Sequence, residues 1–73
     1  MFRVRVVPRG RLAKDSRVSR QGMEIKVPEG ARVRELLAEV GLFDEEVRRV
    51  LVNGHRGRLD QRLRRNDVVE VHG

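Results

Sequence analysis

Ser16 and Ser19 are the only hydroxyl side chains in this sequence of 73 residues, which contains no Thr, Tyr or Cys. Nucleophilic catalysis needs such a group beside an activating base, and both serines fall in a stretch with no sustained hydrophobic period. The absence of cysteine removes thiolate zinc sites, disulfides and a thiol nucleophile. His55 and His72 are seventeen positions apart, and neither stands at helical ligand spacing from a second ligand, so both read as surface histidines. Asp44-Glu45-Glu46 is a carboxylate cluster, but the start of a short helical turn accounts for it through the helix dipole. Gly54-His55-Arg56-Gly57 lacks the spacing and the strand-to-helix setting of a phosphate loop. No catalytic residue, metal site or cofactor is expected. The chain is expected to be no enzyme and to act through a surface, or through its end.

Charge narrows the choice of surface. Lys and Arg number 17 against 11 Asp and Glu, a formal net charge of +6. The cations gather in residues 1–20 and 48–65, with an acidic segment at 24–46 between them. Such a balance invites a nucleic-acid partner, yet single-strand binders add aromatic stacking platforms. Only Phe2 and Phe43 are aromatic, and both stand where a core residue is expected. A solvated basic surface is therefore the first reading and nucleic acid the second. No apolar run approaches the roughly 18 residues of a membrane span, and nothing resembles a signal peptide. The expected compartment is the cytoplasm.

The elements that would position any site follow from hydrophobic period. Phe2-Arg3-Val4-Arg5-Val6-Val7 alternates as a half-buried strand does, and Pro8-Arg9-Gly10 should break it. Residues 11–22 read as a long, mobile connection. Met23–Val27 alternates again and closes at Pro28-Glu29-Gly30. Val33, Leu36, Leu37 and Val40 lie on one helical face, and Gly41 stands where a helix end wants positive φ. Arg32 falls at the N-cap with Glu35 three residues later, so the capping box lacks its side-chain acceptor. Val50-Leu51-Val52 is a buried-strand run, Asn53-Gly54 a tight turn, and Leu59 and Leu63 should pin the following segment to the core. Asn66-Asp67 turns into a last strand, Val68–Val71.

One helix can cover one face of a mixed sheet of four or five strands, which makes an α+β arrangement. An antiparallel first hairpin and a helical crossover to a parallel partner give the ubiquitin-like β-grasp layout. One such domain is expected over residues 1–73. Its core is expected from Phe2, Val4, Val6, Ile25, Val33, Leu36, Leu37, Val40, Leu51, Leu59, Leu63 and Val69.

Taken in order, Val27-Pro28-Glu29-Gly30, the helix Val33–Val40, Gly41, Val50-Leu51-Val52-Asn53-Gly54, Leu59, Leu63 and Asn66-Asp67-Val68-Val69-Glu70-Val71 resemble the ThiS/MoaD family. These are small ubiquitin-like sulfur carriers of thiamine and molybdopterin synthesis. The resemblance covers most of residues 23–71 and leaves 11–22 unmatched. It implies a terminal glycine carboxylate, here that of Gly73, which an E1-like adenylating enzyme activates. Conversion to a thiocarboxylate would then let it donate sulfur to an accepting synthase. Arg56, Arg58, Arg62, Arg64 and Arg65 are the expected contacts to an acidic partner surface near the last strand.

Three positions depart from the family pattern. Asn66-Asp67 stands for Gly-Asp, and Arg32 stands where Thr is common. A single Gly73 follows His72, where carriers have a Gly-Gly tail several residues beyond the last strand. The competing expectation is a β-grasp interaction module without carrier chemistry, similar to the TGS domains attached to RNA-related enzymes.

Overall fold

The computed structural model describes residues 1–14, 19 and 21–73. In chain order the elements are β1 (Phe2–Arg9), α1 (Arg11–Lys14), β2 (Met23–Val27) and α2 (Val33–Glu39). A 3₁₀ turn (Asp44–Glu46), β3 (Arg49–Val52), β4 (His55–Arg56) and β5 (Val68–His72) follow. The strands form one five-stranded sheet in the order β2-β1-β5-β3-β4. β1 runs antiparallel to β2 and parallel to β5, and β3 runs antiparallel to both β5 and β4. A mixed sheet with one main helix is the expected ubiquitin-like β-grasp.

Alternation explains how β1 is buried. Phe2, Val4 and Val6 are buried, while Arg3 and Arg5 are exposed on the other face. In register, Phe2 pairs with Val27 and Val4 with Ile25 on β2. Val6 pairs with Val69 and Pro8 with Val71 on β5. Val33, Leu36 and Leu37 of α2 are 0% exposed and close the core from the helical side.

The ends of α2 show what replaces the missing cap. The Arg32 amide donates to Glu35 Oε1 at 3.0 Å, which is the half of the capping box that needs no acceptor on Arg32. The orphan amides of Val33 and Arg34 instead donate to the carbonyls of Gln61 and Leu59, at 2.9 and 2.8 Å. The segment that Leu59 and Leu63 pin down therefore caps the helix with its own backbone. At the other end Gly41 has φ +80°, the Leu42 amide donates to the Leu37 carbonyl, and the Gly41 amide donates to that of Ala38. This is a Schellman stop.

Several expectations are corrected. Pro8 does not break β1, which runs on to Arg9. Pairing with β2 ends at Val6, so Pro8 sits where one side of the strand is an edge and a missing N–H is tolerated. Arg11–Lys14 is not open connection but a helical turn, and it buries Leu12. Of the rest of the connection expected to be mobile, residues 15–18 and 20 lie outside the described residues, while the Gly22 amide donates to the Ser19 carbonyl at 2.8 Å.

In β3 the parity is the reverse of the one expected. Val50 and Val52 are buried against Val71 and Val69, whereas Leu51 lies opposite Glu70 on the other face, only partly buried. Three apolar residues in a row carry no parity, so pairing with β5 decides it. Phe43 is 58% exposed, because Leu42, at 2%, takes the core position after the helix stop. Ile25, Val40 and Leu59 are partly buried and packed against the core. The core also takes in Leu12, Val27, Ala31 and Val71, none of them expected there.

Candidate functional site

β5 lies inside the sheet, between β1 and β3. Its last residue, His72, pairs with Arg9 on one side and Arg49 on the other, and the Arg48 amide donates to the His72 carbonyl at 2.8 Å. Strand pairing therefore holds the chain up to the penultimate residue. Gly73 follows it.

Gly73 is half-buried against α1. A Cβ on Gly73 would stand 2.8 Å from Leu12 Cγ and 3.3 Å from the Leu12 amide nitrogen. Any side chain at this position therefore requires Leu12 or the chain at residue 73 to shift. Gly10, with φ +61°, forms the corner between β1 and α1, and a Cβ on it would come within 3.5 Å of the Gly73 carbonyl. Around the terminus Arg11, Leu12, Glu45, Glu46, Arg48 and Gly73 line a shallow slot of about 280 Å³.

The five arginines expected to face a partner are not gathered on one surface. Arg56 pairs opposite Leu51, level with Glu70 of β5, and lines a hollow with Arg48, Arg49 and Leu59. Arg58 follows at a turn, with its Nε 3.5 Å from Asp60 Oδ1. Arg62 makes an antiparallel bridge to Arg32 at the start of α2. Arg62 and Arg64 line a cleft with His55 and Gln61, while Arg64 and Arg65 flank Phe2 and Glu29. The last two precede the start of β5. Five strand residues separate that end from Gly73, about 16 Å of extended chain.

Sequence reasoning missed the residues nearest the terminus, namely Arg9, Arg48 and Arg49, together with Leu12. Reading the β-grasp register through to the end of the last strand would have found the arginines. Leu12 carried no such signal, since one apolar residue in an irregular stretch sets no period. His72 also differs from expectation. It is half-buried rather than on the surface, and its Nε2 is enclosed without a hydrogen-bond partner. Among the described residues no helix is long and apolar enough to cross a membrane.

No family model and no curated protein matches the sequence. Among solved structures, a protein described as molybdopterin converting factor, subunit 1, from Pyrococcus furiosus superimposes with a TM-score of 0.76. It is 30% identical, over 99% of this chain and 97% of its own. The chain belongs to the ThiS/MoaD family of ubiquitin-like proteins. Small archaeal modifier protein 1 of Haloferax volcanii shares the fold, with a TM-score of 0.79 at 17% identity over 99% of this chain and 97% of that one. Against the ThiS/MoaD pattern, the stretch the resemblance left unmatched is the one that folds, at Arg11–Lys14, against the terminus.

Proposed function

We propose that this ThiS/MoaD chain is a carrier whose reactive group is the C-terminal carboxylate of Gly73, working in the cytoplasm with an E1-like adenylating enzyme and a sulfur-accepting synthase. A carboxylate oxygen attacks the α-phosphorus of ATP, pyrophosphate leaves, and an acyl-adenylate forms. A sulfur nucleophile at the hydrosulfide level then attacks the acyl carbon and displaces AMP, leaving a thiocarboxylate. The folded body supplies no catalytic group. It is the handle by which partners hold the terminus.

The observation that carries this reading is the placement of Gly73 at the exit of the interior strand β5, in a chain 30% identical over nearly its whole length to a protein described as a molybdopterin converting factor subunit. That description favours pterin synthesis over thiazole synthesis as the destination of the sulfur. Arg9, Arg48 and Arg49 surround this end of the sheet, Arg56 lines a hollow with the last two, and these four are the contacts we assign to an acidic partner surface. Arg58, Arg62, Arg64 and Arg65 are left to the approach of the partner, where positive charge speeds association.

Intact-mass spectrometry tests the proposal. The chain, confirmed to end at Gly73, is incubated with the adenylating enzyme, ATP and a sulfur source. Exchange of one terminal oxygen for sulfur is expected in the full chain and not after deletion of Gly73. No exchange with a verified partner leaves the interaction module as the reading.

A further inference from the structure

We propose that α1 is a clasp on the C-terminal segment, in which Leu12 seats Gly73 against the end of the sheet and sets how readily that residue is released. The proposal builds on the carrier reading, since release matters for chemistry only if the Gly73 carboxylate reacts.

The pairing of β5 leaves Gly73 little slack. β5 is paired on both sides up to His72, through Arg9 and Arg49, and one further residue extends the chain by only about 3.3–3.6 Å. Gly73 spends that reach lying against Leu12, whose side chain is 4% exposed and belongs to the core. A narrow adenylating site needs a carboxylate oxygen in line with a phosphorus atom, a geometry the seated residue cannot offer. Gly73 must first leave Leu12, and any greater reach requires His72 to unpair from Arg9 and Arg49. The glycine thus has a second physical reason beside the threading of a tail. A side chain at this position crowds the seat, where an added Cβ stands 2.8 Å from Leu12 Cγ. The seat itself is built by Gly10, which turns β1 into α1 with φ +61°, and the Ala13 amide, which donates to the Gly10 carbonyl at 3.1 Å.

The test is nuclear magnetic relaxation on the ¹⁵N-labelled full chain. Residue 73 is expected to be as ordered as β5, with an order parameter near 0.85, and to fall below about 0.6 in Gly73→Ala. The double variant Leu12→Ala/Gly73→Ala removes the obstructing Cγ and is expected to regain order, a coupling that a general loosening would not give. Leu12→Ala alone keeps the native terminus and is expected to form adenylate several-fold faster at subsaturating partner. If Leu12→Ala fails to fold, the comparison of wild type with Gly73→Ala decides. A mobile Gly73 in the wild-type chain, or a terminal residue that stays equally ordered in the Gly73→Ala variant, overturns the clasp. An ordered Gly73 that Gly73→Ala releases, with no adenylate in any variant, supports the clasp and counts against the carrier reading instead.

Discussion

The side-chain amide of Asn53 donates to Asp67 Oδ1 at 2.8 Å. This bond ties the β3–β4 turn to the turn that launches β5. The other oxygens complete the lock: Asp67 Oδ2 accepts from the Arg64 amide, and Asn53 Oδ1 accepts from the Val68 amide, each at 2.8 Å. Asp67 is buried and its two bonds are partly screened from water, and the lock sets where the interior strand begins. Everything downstream, including the position of Gly73, inherits that register.

Asp67→Ala should therefore be costly for a single polar substitution. It strands the Asn53 amide and the Arg64 N–H in a partly buried site, with an expected loss of about 1–3 kcal/mol. Urea denaturation at fixed pH reads the difference. A loss near zero would mean that water replaces the carboxylate in both bonds.

Asn66 has φ +67°, and the family places Gly at this position. Asn66→Gly should be neutral or slightly stabilising, whereas Asn66→Ala should lose on the order of 1 kcal/mol to the left-handed backbone. Thermal denaturation of the pair separates backbone preference from packing. Equal stability of the Gly and Ala variants would contradict this account.

Leu36→Ala removes a side chain that is 0% exposed between α2 and the sheet, and it should cost about 2–5 kcal/mol. Leu51→Ala removes a side chain of the same size from the open face and should cost clearly less. Measured side by side, the two test the strand parity directly. A larger loss at Leu51 would return it to the core.

Deleting Gly73 should change the midpoint of urea unfolding little, since His72 and the pairing of β5 remain in place. The same deletion should abolish acyl-adenylate and thiocarboxylate formation. Raised salt should weaken docking of the adenylating partner on the basic end of the sheet while circular dichroism stays unchanged. Docking that ignores salt would remove Arg9, Arg48, Arg49 and Arg56 from the interface.

The sequence by itself determined most of the architecture, because the deciding signals are local. Alternation in β1 and β2, the apolar face of α2, the helix stop at Gly41 and the Asn53-Gly54 turn each follow from backbone geometry within a few residues. The ordered set of these signals was enough to bring out the family. Arg32 as an N-cap without an acceptor was legible too, though not the remedy, since carbonyls from Leu59 and Gln61 arrive from more than twenty residues away. Tertiary structure alone decided the rest. The uniform run Val50-Leu51-Val52 fits either face until β5 pairs with it, and of Leu42 and Phe43 only the end of α2 chooses which enters the core. Leu12 and Gly73 lie at opposite ends of the chain, and their contact exists only because the parallel pairing of β1 with β5 brings the corner after β1 to the end of β5. Period and propensity act over a few residues, and a contact spanning sixty of them is set by which strands become neighbours.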